Sequence, residues 1–198
     1  EIVIIPIYKT DEERARVVEA AHKVKAELTA WTGRGATDRL RVKVDDRDGI
    51  KPGAKYYEWE MRGVPLRLEI GPKDLEKGSV FSARRDTRAK AALPMDGIAG
   101  HVKALLDEIQ AALLAKARAY REAHTSTATT YDEFKAIMEG RPGFVVSPWC
   151  GSDTCEAEIK TETQATIRNI PFGSEPPTAP CLKCGKPAEY NAWFAKAY

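Results

Sequence analysis

The sequence has 198 residues, which is enough for one large domain or two modest ones. Its 43% hydrophobic and 30% charged residues can form a packed core, and it contains no apolar run of about eighteen residues that could span a membrane. The net charge of +2 excludes a polycation, so RNA becomes a candidate partner only if basic residues gather on one face. The first residues, EIVIIPIYKT, lack an initiator Met and the features of a secretory signal, and we therefore expect a cytoplasmic piece of a longer protein.

The first 124 residues alternate between strand and helix patterns. Residues 2–7 form a short apolar run that is typical of a buried strand, and Thr10 with Glu13 has the spacing of a capping box at the start of a helix. Further strands are predicted at 39–46, 64–70, 79–86 and 89–96. Further helices are predicted at 52–63, 71–78 and 97–124. We therefore expect an α/β domain over residues 1–124, with a mixed five-stranded sheet flanked by helices.

The pattern changes after residues 125–130, TSTATT, which have the composition of a linker. Helices are predicted at 130–140 and 157–163, and strands at 143–149 and 165–172. The last segment, AEYNAWFAKAY, is apolar enough to dock onto the rest. We therefore expect a small α+β domain over residues 125–198, and a domain of about 70 residues is near the size at which a bound metal helps the fold.

Four cysteines form two pairs in the second predicted domain. Cys150 and Cys155 have the spacing C-x4-C, and Cys181 and Cys184 have the spacing C-x2-C, followed by Gly185. Two such pairs about 25 residues apart have the spacing of a tetrahedral zinc site. Two disulfides or four free thiols are the alternatives, but disulfides fit a long, well-charged chain without a secretory signal poorly. Because four protein ligands leave no open position for water, the spacing predicts a structural zinc ion.

No group of residues has the pattern of a catalytic site. His22, His101 and His124 are each isolated in a different part of the sequence, which favours core, surface or helix-end roles over a catalytic base. The segment GRGATD comes close to a dinucleotide-binding glycine motif, but it follows a predicted helix rather than a strand. The sequence therefore predicts no catalytic residue.

Aromatic and charged residues are interleaved over residues 55–90. Single-stranded RNA is recognised by stacking bases on aromatic rings and by hydrogen bonds to the base edges. One edge of guanine offers two donors, which match a carboxylate such as Glu60, and the other offers two acceptors, which match a guanidinium such as Arg67. The alternation of 64–70 points Arg67 and Glu69 outward, so the alternative is that these charges are only the solvent face of a strand.

The block WEMRGVPLRLEIGPKDLEKG, followed by ARRD, resembles the anticodon-binding domain of prolyl-tRNA synthetases of the archaeal/eukaryotic type. The later segments WCGSDTCEAEIK, IRNIPF and CLKCGKPAEYNAWFAKAY resemble the C-terminal zinc-binding domain of the same enzymes. Together the two resemblances cover essentially the whole chain. They imply the class II synthetase anticodon-binding fold, followed by the small zinc-binding domain.

The resemblance also implies a function. Enzymes of this family attach proline to tRNA(Pro) with ATP and Mg²⁺, in a catalytic domain that precedes the anticodon-binding domain and has no equivalent in this sequence. They act as homodimers in the cytoplasm. This chain would select the tRNA and would not form the ester bond, with neither a membrane nor DNA as a partner.

The resemblance assigns roles to particular residues. It implies base stacking for Tyr56, contacts with the guanine edges for Glu60 and Arg67, and positions beside the anticodon loop for Lys73 and Asp74. Weaker candidates lie outside the base contacts. They are Arg84, Arg85 and Lys90, for phosphates. Tyr198 matches the C-terminal tyrosine of the family by position, and its carboxylate would reach toward the catalytic domain.

Three other interpretations remain open. The first is the anticodon-binding domain of another class II synthetase, against which the cysteine-bearing domain and the final FAKAY argue. The second is a non-catalytic RNA- or protein-binding module built on the same fold, which the intact anticodon block disfavours. The third is a zinc-stabilised interaction module whose charged strand is only a solvent face.

Overall fold

The computed structural model describes residues 1–32, 39–140 and 143–196. The GRGATD segment and Tyr198 lie outside these residues. The chain forms two compact units, Glu1–Leu114 and Ala115–Tyr198, and the division falls within one long helix. A functional boundary at residue 124 stays a prediction. None of the helices in the described part of the chain is both long and apolar enough to cross a membrane.

The first unit contains a mixed five-stranded sheet, as the sequence predicts. Its strands are β1 (Ile2–Pro6), β2 (Val42–Val44), β3 (Leu66–Ile70), β4 (Ser79–Arg84) and β5 (Lys90–Pro94). Its helices are α1 (Asp11–Ala30), α2 (Pro52–Met61), α3 (Pro72–Glu76) and α4 (Ile98–Ala123), the last of which runs on past Leu114. The strand order is β2-β1-β3-β4-β5. The first three strands are parallel, and β4 and β5 continue the sheet antiparallel.

Helix α1 covers one face of this sheet. The Thr10 hydroxyl accepts a hydrogen bond from the Glu13 N–H at 3.2 Å, as the predicted cap requires. The Glu13 carboxylate accepts its reciprocal bond from the N–H of Lys9 (2.7 Å), one residue before the expected donor. The buried stripe of the helix then packs on the apolar side chains of β1 and β3. The core on this face includes Val17, Ala21, Val24, Leu28, Ile2, Ile4, Leu66 and Leu68.

The opposite face of β3 is also buried, which corrects one expectation. Arg67 and Glu69 were expected to point into solvent, but they are only 8% and 9% exposed. The reason is that β3 lies at the centre of the sheet and α2 packs across its second face, where Tyr56 stacks on Arg67. The alternative of a simple solvent-exposed charged face is therefore wrong.

A buried carboxylate fixes α2 to the segment that follows β2. The Asp45 side chain is 1% exposed and accepts two hydrogen bonds from the Arg47 guanidinium (both 2.8 Å) and one from the Trp59 indole N–H (2.7 Å). The buried Lys55 ammonium donates to the backbone carbonyls of Asp45 and Arg47 at 3.1 and 2.6 Å. Glu58 accepts a further bond from Arg47 at 2.6 Å. These contacts set the position of the helix that carries Tyr56 and Glu60.

The second unit contains a four-stranded sheet and two helices. Its strands are β6 (Thr125–Thr127), β7 (Phe144–Trp149), β8 (Ala165–Asn169) and β9 (Tyr190–Lys196), and its helices are α5 (Tyr131–Glu139) and α6 (Asp153–Thr163). The strand order is β6-β7-β9-β8. The prediction of a linker over 125–130 is wrong for its first half, because Thr125–Thr127 pairs in parallel with β7. The C-terminal segment docks as expected, and it does so as the strand between β7 and β8.

We expect Asp45→Asn to lower the free energy of unfolding of the first unit by about 3 kcal/mol, because it leaves the buried Lys55 and the Arg47 fork without their anion. The measurement is chemical denaturation of the chain, monitored by a signal from the first unit. Asp46→Asn is the matched control, since its side chain is 48% exposed and the expected change is below about 0.5 kcal/mol.

The same variant has an expected pH dependence. The hydrogen bonds from Arg47 hold the pKa of the Asp45 carboxyl well below its ordinary value. A lowered pKa stabilises the fold fully above the unfolded value of about 3.9, and this contribution is lost as the pH falls through the folded value. The difference between the wild-type chain and Asp45→Asn should therefore be constant between about pH 6 and 8 and shrink below about pH 4. A difference that grows on acidification would contradict this assignment.

Candidate nucleic-acid interface and metal centre

Three side chains form a closed cluster between α2 and β3. The Arg67 guanidinium lies 3.9 Å from the centre of the Tyr56 ring, and its Nε donates to Glu69 at 2.9 Å. The Tyr56 hydroxyl donates to the other oxygen of Glu69, also at 2.9 Å. Burial, and then the Glu69 carboxylate, raise the pKa of Tyr56 well above its usual range, so its proton stays in this bond. The cluster holds the Arg67 guanidinium in one orientation against an aromatic ring.

The two predicted guanine contacts lie next to each other. Arg67 Nη1 donates to Glu60 Oε1 at 3.2 Å, and the Glu60 side chain is 32% exposed. Among the described residues, neither the second Glu60 oxygen nor Arg67 Nη2 has a hydrogen-bond partner. The pair therefore offers one carboxylate oxygen and the two N–H groups of one guanidinium nitrogen without rearrangement, and it offers more if the bond between Glu60 and Arg67 opens.

A narrow cleft opens over this pair, between α2 and the sheet. Its lining is formed by Val3, Tyr56, Trp59, Glu60, Val64, Arg67, Ala83, Arg84 and Arg85. At the rim, exposed Arg85 donates from Nε to the backbone carbonyl of Glu60 at 3.1 Å. The cleft thus brings together an aromatic ring, a carboxylate and guanidinium groups, which are the groups that base recognition uses.

Lys73 and Asp74 lie in a different cleft, at the carboxyl ends of the parallel strands β1 and β3. The Asp74 carboxylate accepts a hydrogen bond from the Gly71 N–H at 2.8 Å and so caps α3, while Lys73 is exposed. Both residues line this cleft together with Tyr8. Ligands of open α/β sheets bind at this edge of the parallel strands. The structure therefore separates the predicted site residues into two neighbouring groups on β3 and the segments that flank it.

The three predicted phosphate contacts differ in their surroundings. The Arg84 side chain is 10% exposed and is paired with Asp86 at 2.7 Å and with Glu108 of α4. Arg85 and Lys90 are exposed, and Lys90 lies across from Ala83, the residue that pairs with Arg67. Arg84 therefore connects the β4–β5 turn to α4, whereas Arg85 and Lys90 have their charges at the surface.

Sequence reasoning missed the roles of Glu69 and Asp45. Residues two apart on a strand share a face, so the spacing of Arg67 and Glu69 could have predicted an ion pair. No local pattern marks Asp45, because its partners Arg47, Lys55 and Trp59 come together only when α2 packs.

The four cysteines come together in the second unit. Cys150 follows β7 directly, and Cys155 lies in the first turn of α6. Cys181 and Cys184 lie in a turn that is closed by hydrogen bonds from the Cys181 N–H to the Lys186 carbonyl (2.8 Å) and from the Gly185 N–H to the Cys181 carbonyl (2.9 Å). Gly185 has a φ of +71°, a conformation that glycine adopts without strain.

The sulfur positions fit a tetrahedral metal. The four Sγ atoms all lie within 4.8 Å of one another, and Cys150 lies 3.7 Å from both Cys155 and Cys184. A tetrahedron with metal–sulfur bonds of about 2.3 Å has sulfur–sulfur edges of about 3.8 Å. A disulfide would need about 2.05 Å. The donor set therefore has the size and chemistry of a four-thiolate metal site.

Surrounding contacts hold the C-x2-C turn in place. The Lys183 ammonium pairs with Glu162 and lies 4.4 Å from the centre of the Tyr131 ring. The Tyr131 hydroxyl donates to Glu162 at 2.8 Å, so the turn is connected to both α5 and α6. The Lys186 backbone N–H lowers the pKa of the Cys184 thiol to about 7.

Two family models match the chain. The model described as "Anticodon binding domain" matches residues 1–105, and the model described as "Prolyl-tRNA synthetase, C-terminal" matches residues 131–198. The first match contains both clefts, and the second contains all four cysteines.

Curated relatives match over the whole chain. They include a "Proline--tRNA ligase" of Roseiflexus sp. (strain RS-1), 45% identical over 201 residues, and one of Chloroflexus aggregans, also 45% identical. A "Proline--tRNA ligase 2" of Clostridioides difficile (strain 630) is 43% identical over 198 residues. The chain spans 40% of the length of the first two relatives and 39% of the third. Since the first family model covers more than half of its residues, the chain belongs to the anticodon-binding domain family, in the form that is joined to a prolyl-tRNA synthetase C-terminal domain.

Proposed function

We propose that this chain is the tRNA-recognition part of a proline–tRNA ligase and reads the guanines of a proline anticodon. The observation that carries the proposal is the Glu60–Arg67 pair, held beside Tyr56 at the mouth of a cleft. The ATP- and Mg²⁺-dependent attachment of proline would take place in the part of the enzyme that this chain does not span. Dimerisation and a cytoplasmic location are further expectations for the whole enzyme.

Recognition of a guanine would proceed by exchange of one ion pair. Glu60 would release Arg67 Nη1 and accept the two donors of the guanine Watson–Crick edge. Arg67 would keep its bond from Nε to Glu69 and its stacking on Tyr56, so only its terminal nitrogens would become free to donate. The exchange replaces one charge-assisted bond by several, which favours guanine over a base that lacks these donors.

The other predicted contacts would act around this base. Tyr56 has one face against Arg67 and would offer the other to a stacked base. Lys73 and Asp74, at the end of the same strand, would contact the neighbouring nucleotide. Arg85 and Lys90, whose charges are exposed, are better placed for phosphates than Arg84, which is ion-paired.

The four cysteines would hold a structural zinc ion. Cys150, Cys155, Cys181 and Cys184 fill all four positions of a tetrahedral site, so the ion would have no vacant position for a substrate. The ion would cross-link the end of β7 and the start of α6 to the C-x2-C turn, and it would supply stability rather than chemistry.

We expect Glu60→Gln to weaken binding of an RNA hairpin whose loop holds two adjacent guanines by about 1–3 kcal/mol, the scale of a bidentate base contact. The loss should be much smaller for the same hairpin with adenines in their place. Fluorescence anisotropy titrations of the two hairpins measure this difference. Glu60 is preferred to Arg67 for the test, because Arg67 is buried and its removal also affects folding.

The control is Glu19→Gln on α1. It removes an equally charged, ion-paired glutamate (2.6 Å from Lys23) on the helix that covers the opposite face of the sheet. It should leave both affinities unchanged. An equal loss on the guanine and adenine hairpins with Glu60→Gln would show that Glu60 does not read the base.

We expect about one zinc ion per chain, and none in Cys155→Ser, because three thiolates and a buried hydroxyl bind zinc far more weakly. Native mass spectrometry measures the zinc content, and chelation should lower the unfolding temperature of the second unit. Ser152→Ala is the matched control: it lies between the first two cysteines, its side chain makes no capping bond, and it should retain the metal. A zinc-free chain that is just as stable, or one with disulfides, would overturn the proposal.

A further inference from the structure

A third groove, separate from the two clefts described above, opens at the amino ends of the parallel strands. It is lined by Arg41 and Lys43 of the β2 segment, by Arg62 at the end of α2, and by Trp59 and Val64. Its volume is about 570 Å³, whereas the narrow cleft over Glu60 and Arg67, which we call the guanine cleft, has only about 10 Å³. None of these three cations has a role in the proposed reading of the guanine bases.

The groove adjoins the guanine cleft. Trp59 and Val64 line both of them, so these two side chains form the boundary between the two spaces. Lys43 also lies in register with Val3, which in turn pairs with Arg67, so Lys43 and Arg67 are on the same face of the sheet. A strand of RNA whose base lies at the mouth of the guanine cleft, against Glu60 and Arg67, would therefore have its backbone near the groove.

The groove carries three positively charged side chains, and all three are exposed to solvent. The side chains of Arg41 and Arg62 are 81% and 59% exposed, and Lys43 is exposed as well. The opposing acids are Glu1, 3.7 Å from Arg41, and Glu58, which Arg62 shares with Arg47. Arg41, Lys43 and Arg62 are thus opposed by only two carboxylates. Glu1 is loosely paired with Arg41, and Glu58 is already paired with Arg47.

The wall of the groove is rigid where it meets the cleft. The Arg62 guanidinium lies 4.9 Å from the centre of the Trp59 ring, and the Trp59 indole N–H is fixed by Asp45. Stacking of this kind orients the guanidinium. Its Nη2 is paired with Glu58 at 2.7 Å, so an incoming anion would take the place of Glu58, which keeps its bond from Arg47. Phosphate oxygens are the acceptors that such a donor set binds.

We infer that this groove binds the phosphodiester backbone of the RNA strand that flanks the guanines. The inference rests on the proposed function, since it extends the RNA site from the bases into their backbone. The groove contributes affinity without sequence preference, while Glu60 and Arg67 contribute the preference for guanine.

The test is the double substitution Arg41→Gln/Lys43→Gln, which leaves α2 and its anchor at Asp45 unchanged. Binding of the guanine and adenine hairpins is titrated between about 50 and 200 mM KCl. Each lost phosphate contact on a single strand lowers the slope of log K against log salt by about 0.7, so the pair should lower it by about 1.4. At the lowest salt, both hairpins should bind about tenfold more weakly, with the ratio of their affinities unchanged.

The matched control is Arg16→Gln/Lys23→Gln, which removes the same charge from exposed positions on α1, on the opposite face of the sheet. An unchanged affinity and slope in the groove variant, equal to those of this control, would overturn the inference. A changed ratio with an unchanged slope would also overturn it, because the groove would then act on the base site. No preference for guanine in the wild-type chain would contradict the proposed function alone, since the change in slope would still report the groove.

Discussion

The Asp45 carboxylate is the interaction on which the candidate RNA surface depends. It lies at the end of the edge strand β2 and takes hydrogen bonds from Arg47 and from Trp59 of α2. A buried anion is stable only when several donors replace its water, and here these donors come from two separate segments. Because α2 also carries Tyr56 and Glu60, the anchor sets their distance from β3. One buried charge, which lines none of the three cavities described above, therefore determines whether the candidate recognition groups meet.

The same face of the sheet combines buried and exposed charges in an order that suits recognition. Glu69 is buried and holds Arg67, while Glu60 is partly exposed and bonds Arg67 from the solvent side. The inner bond is the more costly to break, because Glu69 is buried and an unpaired buried charge is strongly destabilising, whereas Glu60 is partly exposed and can bond water when it releases Arg67. Arg67 can thus exchange Glu60 for another acceptor while Glu69 and Tyr56 keep its guanidinium in the same position.

Most of the fold could be predicted from the sequence, but the geometry of the candidate site could be predicted only in part. Alternation and apolar runs predicted all five strands of the first unit, and the cysteine spacing predicted that four sulfurs would meet. The burial of Arg67 was not predictable from its own strand, because it depends on how α2 packs over β3, and Asp45 fixes that packing from the segment after β2. Thr125–Thr127 was read as a linker because three polar residues carry no strand pattern, and their pairing depends on the backbone of β7. A local sequence pattern carries no information about such long-range partners.

The position of β9 has a consequence for how the second unit is completed. This strand is the last element along the described chain, yet it lies inside its sheet, between β7 and β8. Without it, β8 has no neighbouring strand, and Phe134 loses the edge-to-face contact with Phe194 at 5.2 Å. A product cut short before Tyr190 would expose unpaired backbone and apolar side chains, which are features that proteases and chaperones act on. The second unit therefore needs its C-terminal strand β9 to form a complete sheet and a stable fold.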